Sequence, residues 1–264
     1  MKFKPLADTL QEVTHAGALE LIAKATEADL RRFNKTGFTG FHMVACLGLL
    51  NRLPVEMLTI ENLTLKNPEG WTPTHDAAVR GNLSHIPIEV LKSICLTPDT
   101  KGQTPLFVAG TTRKFKEVPK EILSDFDLHM NESKGMSAIQ GIVKGLERYN
   151  DKPYFYAGDW ETVPKELLTL RNVTVTKPVN VRADDDPSLL SIAGETMHTY
   201  NSISELIPAL SLVNISKMSV EEREGWLKAI EKLGSPTNLE LKDLKVFLRA
   251  DLARLETHGS WAEL

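Results

Sequence analysis

The side chains able to do chemistry are dispersed, and their spacing limits what they can support. The chain has seven histidines, His15, His42, His75, His85, His129, His198 and His258. No His-Glu-x-x-His occurs and no histidine clusters with cysteine, so no zinc centre is expected. Cys46 and Cys95 stand 49 residues apart, which makes neither a disulfide framework nor a CxxC pair; each reads as a small buried apolar residue. GxxxxGK[ST], GxGxxG behind a strand and GxSxG are all absent. Asp184, Asp185 and Asp186 form an acidic triplet. Adjacent aspartates rarely converge on one ion without ligands from elsewhere, so a polar turn or a contact for a basic partner is the expected role. The basic run Arg113-Lys114-Phe115-Lys116 reads as a solvated loop, with an anionic contact as the alternative. Neither a catalytic residue, a metal nor a cofactor is expected.

Composition excludes further classes. The 264 residues carry 31 Lys and Arg against 35 Asp and Glu, a formal charge of −4, with 42% apolar residues. A binder of nucleic acid or of a membrane surface normally shows a basic excess, so neither partner is expected. No window approaches 18 uncharged apolar residues, and Met1 to Asp8 lacks the apolar run of a secretory signal. With two lone thiols, the expected location is cytoplasmic.

The elements that must position any site are repeated. Turn glycines fall at Gly37, Gly70, Gly102 and Gly135, at spacings of 33, 32 and 33. A polar turn former precedes each: Asn34, Asn67, Asp99 and Asn131. A helix start follows each, opening at Thr39, Thr72, Thr104 and Ser137. Proline opens a second helix at Pro54, Pro87, Pro119 and Pro164, each within a Pro-x-Glu-x-Leu phrase in which proline is expected at the first helical position. His42 and His75 are 33 apart because the repeat is.

Three periodic markers in register resemble the ankyrin repeat, whose signature is Thr-Pro-Leu-His-x-Ala. Thr72, Pro73, His75, Ala77 and Ala78 match well; Phe107, Gln140 and Ser191 stand where that signature has His. The resemblance is strongest over 34–128 and extends in degenerate form over about 9–217. It implies an all-α chain, an ankyrin-like α-solenoid of about six helix-turn-helix repeats with stacked units supplying the core. Residues 1–217 are expected to form the repeat domain. Residues 218–264 are expected to form a C-terminal α-hairpin cap, opened by the capping box Ser219-Val220-Glu221-Glu222, with Leu227, Ile230 and Leu233 as its first apolar face. The resemblance also implies that the signature histidines hydrogen-bond backbone and neighbouring turns, and places the contact surface at Phe38, Trp71, Gln103 and Met136, with Met43, Asp76 and Val108 one helical turn on.

Function is expected where the period breaks. About 12 extra residues lie at 149–160, and this insert holds Tyr154, Phe155, Tyr156 and Trp160. Aromatic side chains on a loop longer than the fold needs suit a binding role, the alternative being a small satellite core. An enlarged finger at 174–187 carries Asp184 and Asp185 and alternates like a short hairpin. The expected function is recognition of another protein, as adaptor or inhibitor, through the concave face and the insert. A ligand or enzyme site built from insert and finger is the alternative, as is a homo-oligomer formed through 219–257.

Overall fold

The computed structural model describes residues 4–123, 137–138, 140–142, 168–169, 207–233 and 239–258. The insert at 149–160, the finger at 174–187 and Pro164 lie outside the described residues. The described residues are mostly helical and contain no β-strand. They belong to two units, 1–145 and 146–264.

The first unit begins with α1 (Leu6–Glu12), α2 (His15–Lys24) and α3 (Glu27–Arg31). It continues with α4 (Gly40–Cys46), α5 (Ile60–Leu63), α6 (Pro73–Arg80), α7 (Ile88–Ile94) and α8 (Pro105–Thr111). Two layers result. In one, α4 packs on α1 and α6, and α6 packs on α8; in the other, α5 packs on α7, and α7 on a single 3-10 turn at Lys120–Ile122. Phe41, Leu63, Leu83, Leu91, Leu106 and Phe115 are fully buried between them. A four- to eight-residue helix cannot hold itself in water, so lateral packing must stabilise each one.

Each inner helix starts at the threonine that follows a turn. Thr39 and Thr104 accept backbone N–H bonds from His42 and Phe107, and Pro73 and Pro105 occupy the first helical position, where no donor is lost. The second-layer prolines behave differently from expectation. Pro54, Pro87 and Pro119 have ψ of 138°, 134° and 133°, so each stands just before its helix in extended backbone. Their carbonyls take the first bonds, from Met57, Leu91 and Ile122. Only Pro87 leads into an α-helix; Pro54 and Pro119 lead into single 3-10 turns, Val55–Met57 and Lys120–Ile122. At Pro54 the reason is local. Thr59 stands where the next repeat has Lys92, and its hydroxyl accepts from Asn62 N–H, opening the separate helix α5.

α8 lies close against residues 140–142. A Cβ on Gly110 would lie 2.5 Å from the Ile142 nitrogen, and one on Gly141 would lie 2.2 Å from the Phe107 oxygen. Both obstacles are backbone, so neither can rotate away.

In the second unit a 3-10 turn, Pro208–Leu210, precedes α9 (Leu212–Ile215), α10 (Val220–Lys232) and α11 (Leu239–His258). Ser219 and Glu222 cap α10 reciprocally, at 3.2 and 2.7 Å. The buried face of α10 is Trp226, Ala229 and Ile230, with Leu227 and Leu233 only partly covered. It packs on α11, which buries Leu241, Leu244 and Leu248, and Arg223 pairs with Asp251 across the two helices at 2.5 Å. Among the described residues no helix is long and apolar enough to cross a membrane.

Gly110→Ala is expected to destabilise the chain by about 1–3 kcal/mol, because backbone must move to admit the methyl group. Urea unfolding followed by circular dichroism measures it; an unchanged midpoint would show that the two segments separate freely.

Candidate functional site

The expected contact residues Phe38, Trp71 and Gln103 occupy the same place in three successive turns. In each turn the side-chain oxygen of Asn34, Asn67 or Asp99 accepts two backbone N–H bonds. The donors are Thr36 and Phe38 in the first turn, Glu69 and Trp71 in the second, and Lys101 and Gln103 in the third, at 2.8–3.1 Å. The backbone N–H of the same Asn or Asp donates to the carbonyl of Phe38, Trp71 or Gln103. Glycine closes each turn at φ +82°, +76° and +78°, a conformation that side chains resist. The turns also meet one another: Thr100 donates through its N–H and its hydroxyl to the Glu69 carbonyl, at 3.0 and 2.7 Å.

His42 and His75 join each of these turns to the next. The Thr39 N–H donates to His42 Nδ1 at 3.1 Å, and the Thr72 N–H donates to His75 Nδ1 at 3.1 Å. A nitrogen that accepts carries no proton, so both rings are the Nε2–H tautomer. Nε2 of His42 then donates to the Trp71 carbonyl at 3.2 Å, and Nε2 of His75 to the Gln103 carbonyl at 2.9 Å. Both residues are completely buried. Desolvation holds His42 down at about 4 and His75 below its usual value, despite the carbonyl bond that favours the charged form in each. Where Gln140 replaces His, its Oε1 accepts from the Ser137 N–H at 3.0 Å, the bond that Nδ1 makes elsewhere.

The main chain of Trp71 and Gln103 is therefore tied on every side while the side chain is left over. The Phe38 ring stands edge-on to His42, centroids 5.4 Å apart, and the Trp71 indole lies tilted on His75 at 4.7 Å. Phe38, Trp71 and Gln103 are each half-buried, so each keeps surface to present. Two residues of the next helical turn do not. Met43 is 9% exposed, with Gln11 Nε2 from α1 on its sulfur at 3.5 Å, and Val108 is 2% exposed. α1 covers Met43, which takes it out of any broad contact surface. Met136, Tyr154, Phe155, Tyr156, Trp160, Asp184 and Asp185 lie outside the described residues.

No protein-family model matches this chain, and no curated protein matches it.

Asp76 joins Trp71 directly. The indole Nε1–H donates to Asp76 Oδ1 at 3.0 Å, while Oδ2 is shut off from water and has no hydrogen-bond partner. Leaving a buried acceptor without a donor costs about 1–3 kcal/mol. Desolvation lifts the carboxyl to about 7, against the lowering effects of the Trp71 bond and of Arg80. Both residues were legible as candidates, but not their bond, because five residues separate them across the turn-to-helix junction.

A second feature lies away from the turns. An open groove of about 600 Å³ runs along the second layer, lined by Leu53, Val55, Ile86, Ile88 and Pro119, with His85 at its side. The signal was present in the apolar residues flanking Pro54, Pro87 and Pro119. Among the described residues no group of three His, Cys, Asp or Glu is placed to hold a metal ion.

His42 and Asp76 act on stability in opposite senses. An unfolded histidine titrates near 6.5, so the stability that neutral His42 represents is full above that pH and is lost as pH falls toward about 4. Folded Asp76 keeps its proton up to about 7, whereas its unfolded value is 3.8, so its effect on stability worsens as pH rises between those values. His42→Gln is expected to gain roughly 2 kcal/mol relative to the parent chain between pH 7 and pH 5. It should lose about 1 kcal/mol at pH 8 with the bond to the Trp71 carbonyl. Asp76→Asn should lose stability relative to the parent on the same acidification. Urea midpoints at pH 5, 6, 7 and 8 measure both; parallel profiles for all three chains would refute the assignment.

Proposed function

We propose that the chain is a protein-binding module of the ankyrin-like α-solenoid kind, which occupies a partner's surface as an adaptor or inhibitor. The fold reading is supported by the 33-residue period, the two helical layers and the recurring Thr-cap and turn. One observation carries the functional reading. The backbone of the residue after each turn glycine belongs to the scaffold, while its side chain changes from Phe38 to Trp71 to Gln103. A scaffold that holds constant backbone and varies one half-exposed side chain per repeat presents a non-repeating epitope, which specific recognition requires. Steric occupation is the whole mechanism, and it needs no bond to be made or broken. Tyr154, Phe155, Tyr156 and Trp160 would extend the epitope with rings that give large contact area at low entropic cost.

A second reading, self-association through 219–257, is favoured by the apolar side chains that α11 leaves in water. Leu239 is 68% exposed, Val246 66% and Phe247 41%. Light scattering on the full chain at rising concentration separates the two. A constant monomer mass removes self-association.

The partner reading is tested by affinity capture from the native host with the full chain as bait. Two further baits carry Phe38→Ser with Gln103→Lys, or Tyr154→Ser with Tyr156→Ser and Trp160→Ser. A partner bound through this surface should be recovered about tenfold less by the substituted baits, the loss expected from one hot-spot contact. Melting temperature and helical spectrum should be nearly unchanged. Equal recovery by all three baits would rule the surface out.

A further inference from the structure

α11 carries an exposed stripe whose residue types are matched about its own centre. Leu239, Asp243, Val246, Phe247, Ala250 and Arg254 are all exposed. At about 100° per residue these positions fall on one side of the helix. The buried Leu241, Leu244 and Leu248, which serve the packing on α10, fall on the other. Asp243 and Arg254 bracket the centre of the stripe. They are eleven residues apart, which is about 16 Å along the axis and about 20° around it. Phe247 and Ala250 lie between them, and both pairs share one midpoint, between Leu248 and Arg249. A half-turn about that midpoint therefore brings Asp243 to the height of Arg254, and Phe247 to the height of Ala250.

Beside the stripe lies an open hollow of about 500 Å³, lined by Ile215, Arg223, Phe247, Ala250 and Arg254. Its charges are fixed by the fold. Arg223 is held by the Ser216 and Met218 carbonyls, at 3.0 and 3.1 Å, and by Asp251. Arg254 rests on the same carboxylate at a longer 3.4 Å, with most of its side chain in water. One carboxylate thus serves two arginines, which leaves surplus positive charge at this end of the stripe. Asp243 supplies a negative charge at the other end.

We propose that a second copy of this chain covers the stripe: two α11 helices pack antiparallel about a two-fold axis between Leu248 and Arg249, each Phe247 resting on the partner's Ala250 and in the hollow beside it, each Asp243 paired with the partner's Arg254. The inference rests on the self-association reading and gives it a geometry. Charge sets the direction. Laid parallel in register, the stripes would put aspartate on aspartate and arginine on arginine, which repel; laid antiparallel, the same four side chains make two attractive contacts. Size agrees, because the central pair sets a ring against a methyl group. An isologous contact of this kind closes at two copies. One stripe per copy buries less than the about 1,200 Å² of a standard interface, so a dissociation constant of roughly 10–100 μM is expected. Phe38, Trp71 and Gln103 belong to the first unit and take no part in the contact.

Sedimentation equilibrium of the full chain, from about 5 to about 500 μM and at low and high salt, tests the pairing. The parent chain should dimerise, more weakly at high salt. Phe247→Asp changes an exposed side chain, so it should stay monomeric throughout with an unchanged helical spectrum. Asp243→Arg should weaken the dimer about tenfold, since each new arginine then faces the partner's Arg254. Asp243→Arg combined with Arg254→Glu should recover the parent constant within about threefold, and Asp251 keeps Arg223 in that chain. In a parallel pair the exchange leaves like charges facing like, so loss followed by recovery singles out the antiparallel order. A parent chain that is monomeric at every concentration overturns this pairing and the self-association reading together. A parent dimer that Phe247→Asp leaves intact, or that the combined exchange fails to recover, overturns this pairing alone, and self-association through another face then stands. Neither outcome bears on the partner reading, which the capture experiment tests.

Discussion

One hydrogen bond recurs as the joint of the first unit: a neutral imidazole donating from Nε2 to the carbonyl of the following turn. His42 makes it to Trp71 and His75 makes it to Gln103. The bond has requirements, and the neighbouring residues meet them. Nδ1 must be an acceptor, so the Thr39 and Thr72 N–H groups point at it. The receiving carbonyl must be aimed back, so Asn67 and Asp99 tie the turn and glycine allows its left-handed corner. The ring must be buried and uncharged, because a proton on both nitrogens would remove the Nδ1 acceptor. Residues that look like separate signature positions are thus one hydrogen-bonded circuit, and losing any of them leaves a buried group unpaired.

The circuit differs at α8. Phe107 has no ring nitrogen to donate from, and Gly110 and Gly141 let α8 and residues 140–142 come close enough that added methyl groups would strike backbone. Gln140 then restores half of the arrangement, with an amide oxygen in the place of Nδ1. Directed bonding at His42 and His75 and close fit at Gly110 and Gly141 are different sensitivities to sequence. Bonding tolerates change in volume, and fit tolerates change in polarity.

The circuit also explains why the side chains after the turn glycines are left to vary. Their backbone groups are consumed by the joint, so the identity of the side chain at Phe38 and Gln103 is not set by it. Trp71 is the exception, because its indole is bound to Asp76, and the carboxyl there carries an oxygen that the fold does not satisfy. Strain of this kind is kept where neighbouring structure over-determines it, here by the tied turn on one side and the close-packed α6 on the other.

What the amino-acid sequence determined alone is the short-range part: the turn glycines, the threonine caps, the reciprocal Ser219–Glu222 cap and the helical character of the described residues. These depend on atoms a few bonds or one helical turn apart, so spacing reveals them. The second-layer helices were half legible. Proline marked where they begin, but Thr59 in place of Lys92 decided that one would break in two. The candidate site was legible in position and not in exposure. Phe38, Trp71 and Gln103 keep surface, whereas Met43 is covered by α1 and Val108 is buried, and no local pattern states which neighbour covers a residue. The imidazole tautomer, the close glycine pair and the unpartnered oxygen of Asp76 were decided by tertiary structure. Each depends on groups brought together from elsewhere in the chain, and burial sets its energy only after packing has removed the water.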